Sequence, residues 1–132
     1  MPSMLSDHQA SQRRFRYSLV WGGYWFLLFV IMHIPITAPV LPVEGSDKIA
    51  HFVLYGMLAV LGGMRLRSHR SHKQLIRKLI LWAFLYAGYG AIDEFLQDYV
   101  GRTCDTADWA ADVCGVAVGT VVIGLSRSRK QA

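Results

Sequence analysis

The chain has 132 residues, 53% of them hydrophobic and only 17% charged, against about 25% charged in soluble domains. That is one domain's length, and it carries more apolar surface than a soluble fold of this size can hide; a bilayer removes the need to hide it. The net charge of +5 admits either nucleic acid or an anionic membrane surface as partner, but no nucleic-acid-binding motif is present, and the basic residues are distributed as topology signals.

Four apolar runs follow in chain order and predict an all-α, polytopic bundle of four transmembrane helices in one domain, residues 1–132. A cytoplasmic tail, 1–17, precedes the first run at 18–36, which lacks any Asp, Glu, Lys or Arg. Trp21, Tyr24, Trp25 and Phe26 within it read as lipid-facing or interfacial residues. Arg13, Arg14 and Arg16 ahead of this run resemble the start of a signal peptide. The apolar core is long and no small-x-small site follows it, so a retained helix is expected. After a Pro-containing stretch the second run spans 49–66, the third 75–92 and the fourth 107–125, followed by a tail at 126–132. Each is close to the roughly 20 residues a spanning helix needs.

Threading four helices places twelve of the fourteen basic residues on one side: the N-terminal tail, the segment 65–78 and the C-terminal tail. Only Lys48 and Arg102 remain opposite. Basic loops stay in the cytoplasm, so both termini are expected inside. Eight of the nine acids fall in or beside the outer ends of the helices, and only Asp7 stays inside. Cys104 and Cys114 would lie about 15 Å apart along a helix, beyond the reach of a disulfide, so two free thiols are expected.

The acids are not scattered. Asp47, His51 and Tyr55 are spaced i, i+4, i+8 on one face of the second helix. The third helix ends in Asp93, Glu94, Gln97 and Asp98. In the fourth, Asp105, Asp108 and Asp112 form a stripe that continues into Gly115 and Gly119, a G-x-x-x-G pair suited to close helix packing. Ser46 or Asp47, and Asp105 or Thr106, are placed to cap helices two and four. Ionisable groups inside a membrane are costly and mark functional sites by default. No Walker, G-x-S-x-G, H-E-x-x-H or C-x-x-C pattern is present.

These residues carry a resemblance. Asp47, Lys48, His51, Phe52 and Tyr55 resemble the D-K-x-x-H-F-x-x-Y segment of VanZ-like proteins. Asp93, Glu94 and Gln97, followed by Gly101 and Arg102, resemble their D-E-x-x-Q segment and G-R pair, and Asp108, Asp112 and Gly115 resemble D-x-x-x-N-x-x-G. The similarity covers roughly residues 45–120. It implies a bacterial inner-membrane protein of the cell envelope, in a family whose founding member is associated with reduced susceptibility to the lipoglycopeptide teicoplanin. Where the family usually has Asn, this chain has Asp112, which adds charge to the cluster.

Three functions remain open. The outer-leaflet cluster can bind or modify an envelope lipid, a lipid-linked sugar or a lipoglycopeptide. It can act as an enzyme, with His51, Asp93, Glu94 and Asp108 in acid–base roles, and Lys48, Tyr55, Gln97, Arg102 and Asp112 holding substrate, Lys48 and Arg102 by its anionic group. Or the chain is an accessory subunit with interhelical polar contacts as glue. Carboxylates with a histidine can also hold a divalent ion, but the spacing is generic and neither a metal nor any other cofactor is assigned. The bilayer is the expected partner; nucleic acid is not.

Overall fold

A computed structural model of the chain describes residues 4–34, 45–66, 72–101 and 104–128. Four helices follow one another: α1 Met4–His33, α2 Ser46–Arg65, α3 His72–Gln97 and α4 Thr106–Ser128, with a 3-10 turn Asp98–Val100 closing α3. Three of them, over Ser11–His33, Lys73–Val100 and Thr106–Arg127, are long and apolar enough to cross a membrane. Helix α2 does not meet that standard. Asp47, Lys48, His51 and Arg65 fall within its 20 residues and dilute its apolar character.

The helices outrun the apolar runs that announce them. Helix α1 begins at Met4, well before residue 18, because Met4–Tyr17 contains no Gly or Pro to stop it. Helix α3 likewise continues past Ile92 through Asp93 and Glu94. A run of apolar residues reports the hydrocarbon segment, whereas a helix ends where the backbone is broken. Helix α2 starts after Gly45, whose φ of 78° needs glycine, and it has no side-chain cap, contrary to the expectation for Ser46 or Asp47. Helix α4 is capped as expected: Asp105 Oδ1 accepts the Ala107 N–H at 2.9 Å.

The closest packing is between α2 and α4, where backbone meets backbone. A methyl group added at Gly115 would run into the Phe52 carbonyl oxygen, and one at Gly119 into that of Gly56. One turn pair further along, Gly63 lies under Ile123. Helices α1 and α3 complete a core of Leu28, Met32, Tyr55, Leu58, Ala59, Tyr86 and Val116. Trp21, Tyr24 and Trp25, expected to be lipid-facing or interfacial, are partly buried against this core; Phe26, 70% exposed, faces outward. Each inward aromatic finds a partner for its polar tip or ring: Trp21 Nε1 donates to Tyr86 Oη at 2.9 Å, and Tyr24 Oη to the Leu54 carbonyl at 2.8 Å. The outer surface is apolar along the helices, with Phe84 and Val121 among the exposed residues.

The two ends of the bundle differ in charge. At one, Arg127 donates to the Leu66 and Met64 carbonyls at 2.6 and 2.8 Å, closing the C-terminus of α2. Beside it the Arg65 guanidinium lies 4.5 Å from the centre of the Trp21 ring. At the other end lie the acids.

Because the Phe52 carbonyl cannot rotate away, Gly115→Ala is expected to lower stability by about 1–3 kcal/mol, read as the unfolding midpoint in detergent. Gly88→Ala, which meets nothing within 4 Å, is expected to be neutral or to stabilise by about 0.5–1 kcal/mol.

Candidate functional site: a buried carboxylate and histidine cluster

The acidic end joins the start of α2, the end of α3 and the start of α4, with His33 from the end of α1. The close α2–α4 contact fixes its centre. With Gly115 against Phe52, the preceding turn of α4 brings Asp112 opposite His51, and Asp112 Oδ1 lies 2.9 Å from His51 Nδ1. Both side chains are buried. A carboxylate only accepts, so Nδ1 carries the hydrogen of this bond, and in the neutral imidazole Nε2 keeps its lone pair. Gly90 lets α3 approach this pair: a methyl there would touch Asp112 Oδ2 at 3.1 Å.

Asp93 and Glu94 enter from α3 on neighbouring faces. Tyr55 Oη donates to Asp93 Oδ2 at 3.0 Å, while Asp93 Oδ1 lies 3.6 Å from His33 Nδ1. Glu94 Oε1 accepts the backbone N–H of Asp105 at 2.6 Å, tying α3 to the start of α4. Lys48 sits at the rim, 40% exposed, with its ammonium 3.0 Å from Asp105, 3.1 Å from Asp108 and 3.4 Å from Asp47. The Ala107 N–H, and after it the Lys48 ammonium, hold the Asp105 carboxyl below the usual carboxylate range.

Eight of the nine residues read from the sequence therefore meet at one end: Lys48, His51, Tyr55, Asp93, Glu94, Gln97, Asp108 and Asp112. All but Lys48 are buried. Arg102 lies outside the described residues. His51 pairs with Asp112. The family departure at Asp112 therefore supplies the histidine's own partner. His33 was missed. It stands near the end of a run free of Asp, Glu, Lys and Arg, and a lone histidine at that depth was the available signal.

Polar valence is left over. Among the described residues His51 Nε2, Glu94 Oε2, Asp112 Oδ2 and Gln97 Nε2 are buried without a hydrogen-bond partner. Such groups cost about 1–3 kcal/mol each when unsatisfied. Chemically, a neutral imidazole oriented by a carboxylate and flanked by further carboxylates can move a proton or bind a cation.

Helices with apolar outer surfaces around ionisable groups at one end define a polytopic membrane protein with an internal polar site. The VanZ/LLP1 family model matches residues 3–127, and the chain belongs to that family. The match extends the likeness of residues 45–120 to nearly the whole chain. No curated protein and no solved structure matches it significantly.

Tyr55→Phe removes the donor to buried Asp93 and is expected to cost about 1–3 kcal/mol. Unfolding in detergent checks this; an unchanged midpoint would show that Tyr55 is ordinary core.

Proposed function

We propose that this protein is a four-span protein of the bacterial inner membrane with both termini in the cytoplasm. In this proposal its outer-end cluster binds or modifies the head group of an envelope lipid, a lipid-linked sugar or a lipoglycopeptide, lowering antibiotic susceptibility in the latter case. The observation that carries this is the set of buried polar atoms without partners, on His51, Glu94, Gln97 and Asp112. Interhelical glue would use its donors and acceptors on itself, and these atoms have no such partner among the described residues.

A fourth span is supported by the placement of the polar residues of α2. His51 and Tyr55 point into the bundle, while Ile49, Val53 and Met57 lie on its exposed side. Its low hydropathy thus comes in part from groups that never meet lipid. The separation of basic and acidic ends supports the orientation.

Within the site, the His51–Asp112 pair supports an acid–base role for His51, with Asp93, Glu94 and Asp108 around it. In this proposal Lys48 and Arg102 hold the anionic part of a head group. Lys48 already shares its charge among three carboxylates, so it serves as one edge of the site, with Gln97, Tyr55 and Asp112 lining its depth.

Orientation is tested by cysteine labelling. Cys104 in a Cys114→Ser chain is expected to react with a membrane-impermeant maleimide in intact spheroplasts, and Gln74→Cys in a cysteine-free chain only after permeabilisation. Function is tested by mass spectrometry of envelope lipids from deleted, wild-type and Glu94→Gln strains at matched protein levels. A species gained or lost only with the wild type supports modification. A lipid that copurifies with the wild type and not with Glu94→Gln supports binding. Neither result would leave an accessory role.

A further inference from the structure

We propose that His51, Glu94 and Asp108 together hold a divalent transition-metal ion, Zn²⁺ by chemical class, where α2, α3 and α4 meet. The proposal deepens the head-group reading of this site and rests on it only for what the ion would act upon.

Each of the three residues offers one donor atom, and the three donors lie within 4.8 Å of one another. They come from three different helices, and all three residues are buried. Zinc bonds of about 2.0–2.2 Å require these donors to draw together by about an ångström, a movement within the rotation of the Glu94 and Asp108 side chains.

Acids near one another do not make a metal site, and two further observations point to a cation. The first is the free valence. His51 is 1% exposed and Glu94 3%, yet His51 Nε2 and Glu94 Oε2 have no partner among the described residues. His51 Nδ1 is occupied by Asp112 at 2.9 Å, so Nε2 is the nitrogen left for a cation. A carboxylate on the far nitrogen of a ligating histidine is the usual outer support of a metal site: it fixes the tautomer and makes the ligand more basic. Asp112 fills that position.

The second is charge. Asp93, Glu94, Asp108 and Asp112 are all buried at one end of the bundle. Among the described residues the lysine or arginine in contact with them is Lys48, and it engages Asp108 Oδ1 while leaning on the half-buried Asp105 and Asp47. Buried carboxylates need compensating charge, and a doubly charged ion between Glu94 and Asp108 supplies it. An imidazole donor favours zinc and its neighbours over magnesium or calcium, which prefer oxygen alone. Three protein ligands leave a zinc ion one open position, where a water or a phosphate oxygen would bind.

The test uses the full chain, free of any affinity tag, purified in detergent, stripped with chelator and then titrated with Zn²⁺. Bound metal is read by mass spectrometry after desalting. About one ion per chain is expected for the wild type. His51→Ala, Glu94→Gln and Asp108→Asn are each expected to lose it. Asp112→Asn keeps an acceptor oxygen for Nδ1–H but loses its charge, and is expected to weaken binding by about 10–100-fold. Asp98→Asn, outside the cluster, is expected to bind as the wild type does. Should a variant fail to elute as a helical, monodisperse species, X-ray absorption of the zinc-loaded wild type decides instead, with one nitrogen and two carboxylate ligands expected. A wild type that retains no zinc, or His51→Ala and Glu94→Gln chains that retain it fully, would overturn the proposal. Zinc binding with neither a lipid change nor a copurifying lipid would sink the head-group reading alone; a lipid change in a chain that binds no zinc would sink the metal alone.

Discussion

Everything at the acidic end depends on how closely α2 and α4 approach. Their contact is made through glycine: Gly115 on the Phe52 carbonyl and Gly119 on that of Gly56 leave no room for a methyl group. At that separation His51 and Asp112, one turn away, meet at hydrogen-bond distance. Gly90 then admits α3 beside the same pair. Packing and chemistry therefore share residues: the small positions that draw the helices together place the ionisable ones face to face. Helix association in a membrane has no hydrophobic drive of its own and rests on such close contact.

The bundle is polarised along its length. Arginines at one end satisfy helix carbonyls and stack on tryptophan. Carboxylates at the other are buried and only partly satisfied. Insertion scales charge about 2.5–3.5 kcal/mol for one aspartate at the centre of a spanning helix, so a protein with several near one end gives up stability to keep them. The aromatic layer of Trp21, Trp25, Tyr86 and Tyr89 stacks edge to face across α1 and α3. Together with Tyr55 and Leu58 it forms the packed middle on which that end rests.

Much of this was legible in the order of residues. Spacing in steps of about one helical turn put Asp47, His51 and Tyr55 on one face, and Asp108 and Asp112 on the glycine stripe of α4, so their convergence followed from antiparallel neighbours. Pairing did not follow. Whether His51 meets Asp93, Asp108 or Asp112 depends on rotations of a fraction of a turn, which Phe52 and Gly115 decide and hydropathy does not. The inward turn of Trp21, Tyr24 and Trp25 was hidden for the same reason: an aromatic in an apolar run is equally at home in lipid or in a core. His33 went unseen because, unlike His51, it has no polar residue at helical spacing within its run, and the start of α1 because a polar helix leaves no mark in hydropathy. Even α2's weak apolar character misleads on its own, since the groups responsible, His51 among them, are enclosed by other helices.

The central claim is that the polar end is maintained for a ligand at a cost in stability. Thermal unfolding of chelator-treated wild type and Glu94→Gln in the same detergent tests it most directly. Glutamine keeps the oxygen that accepts the Asp105 N–H and removes one buried charge. A higher midpoint for Glu94→Gln is expected, because a charge without a partner opposes folding in the absence of its ligand. A lower midpoint would contradict the claim and make Glu94 part of the structural glue between the helices.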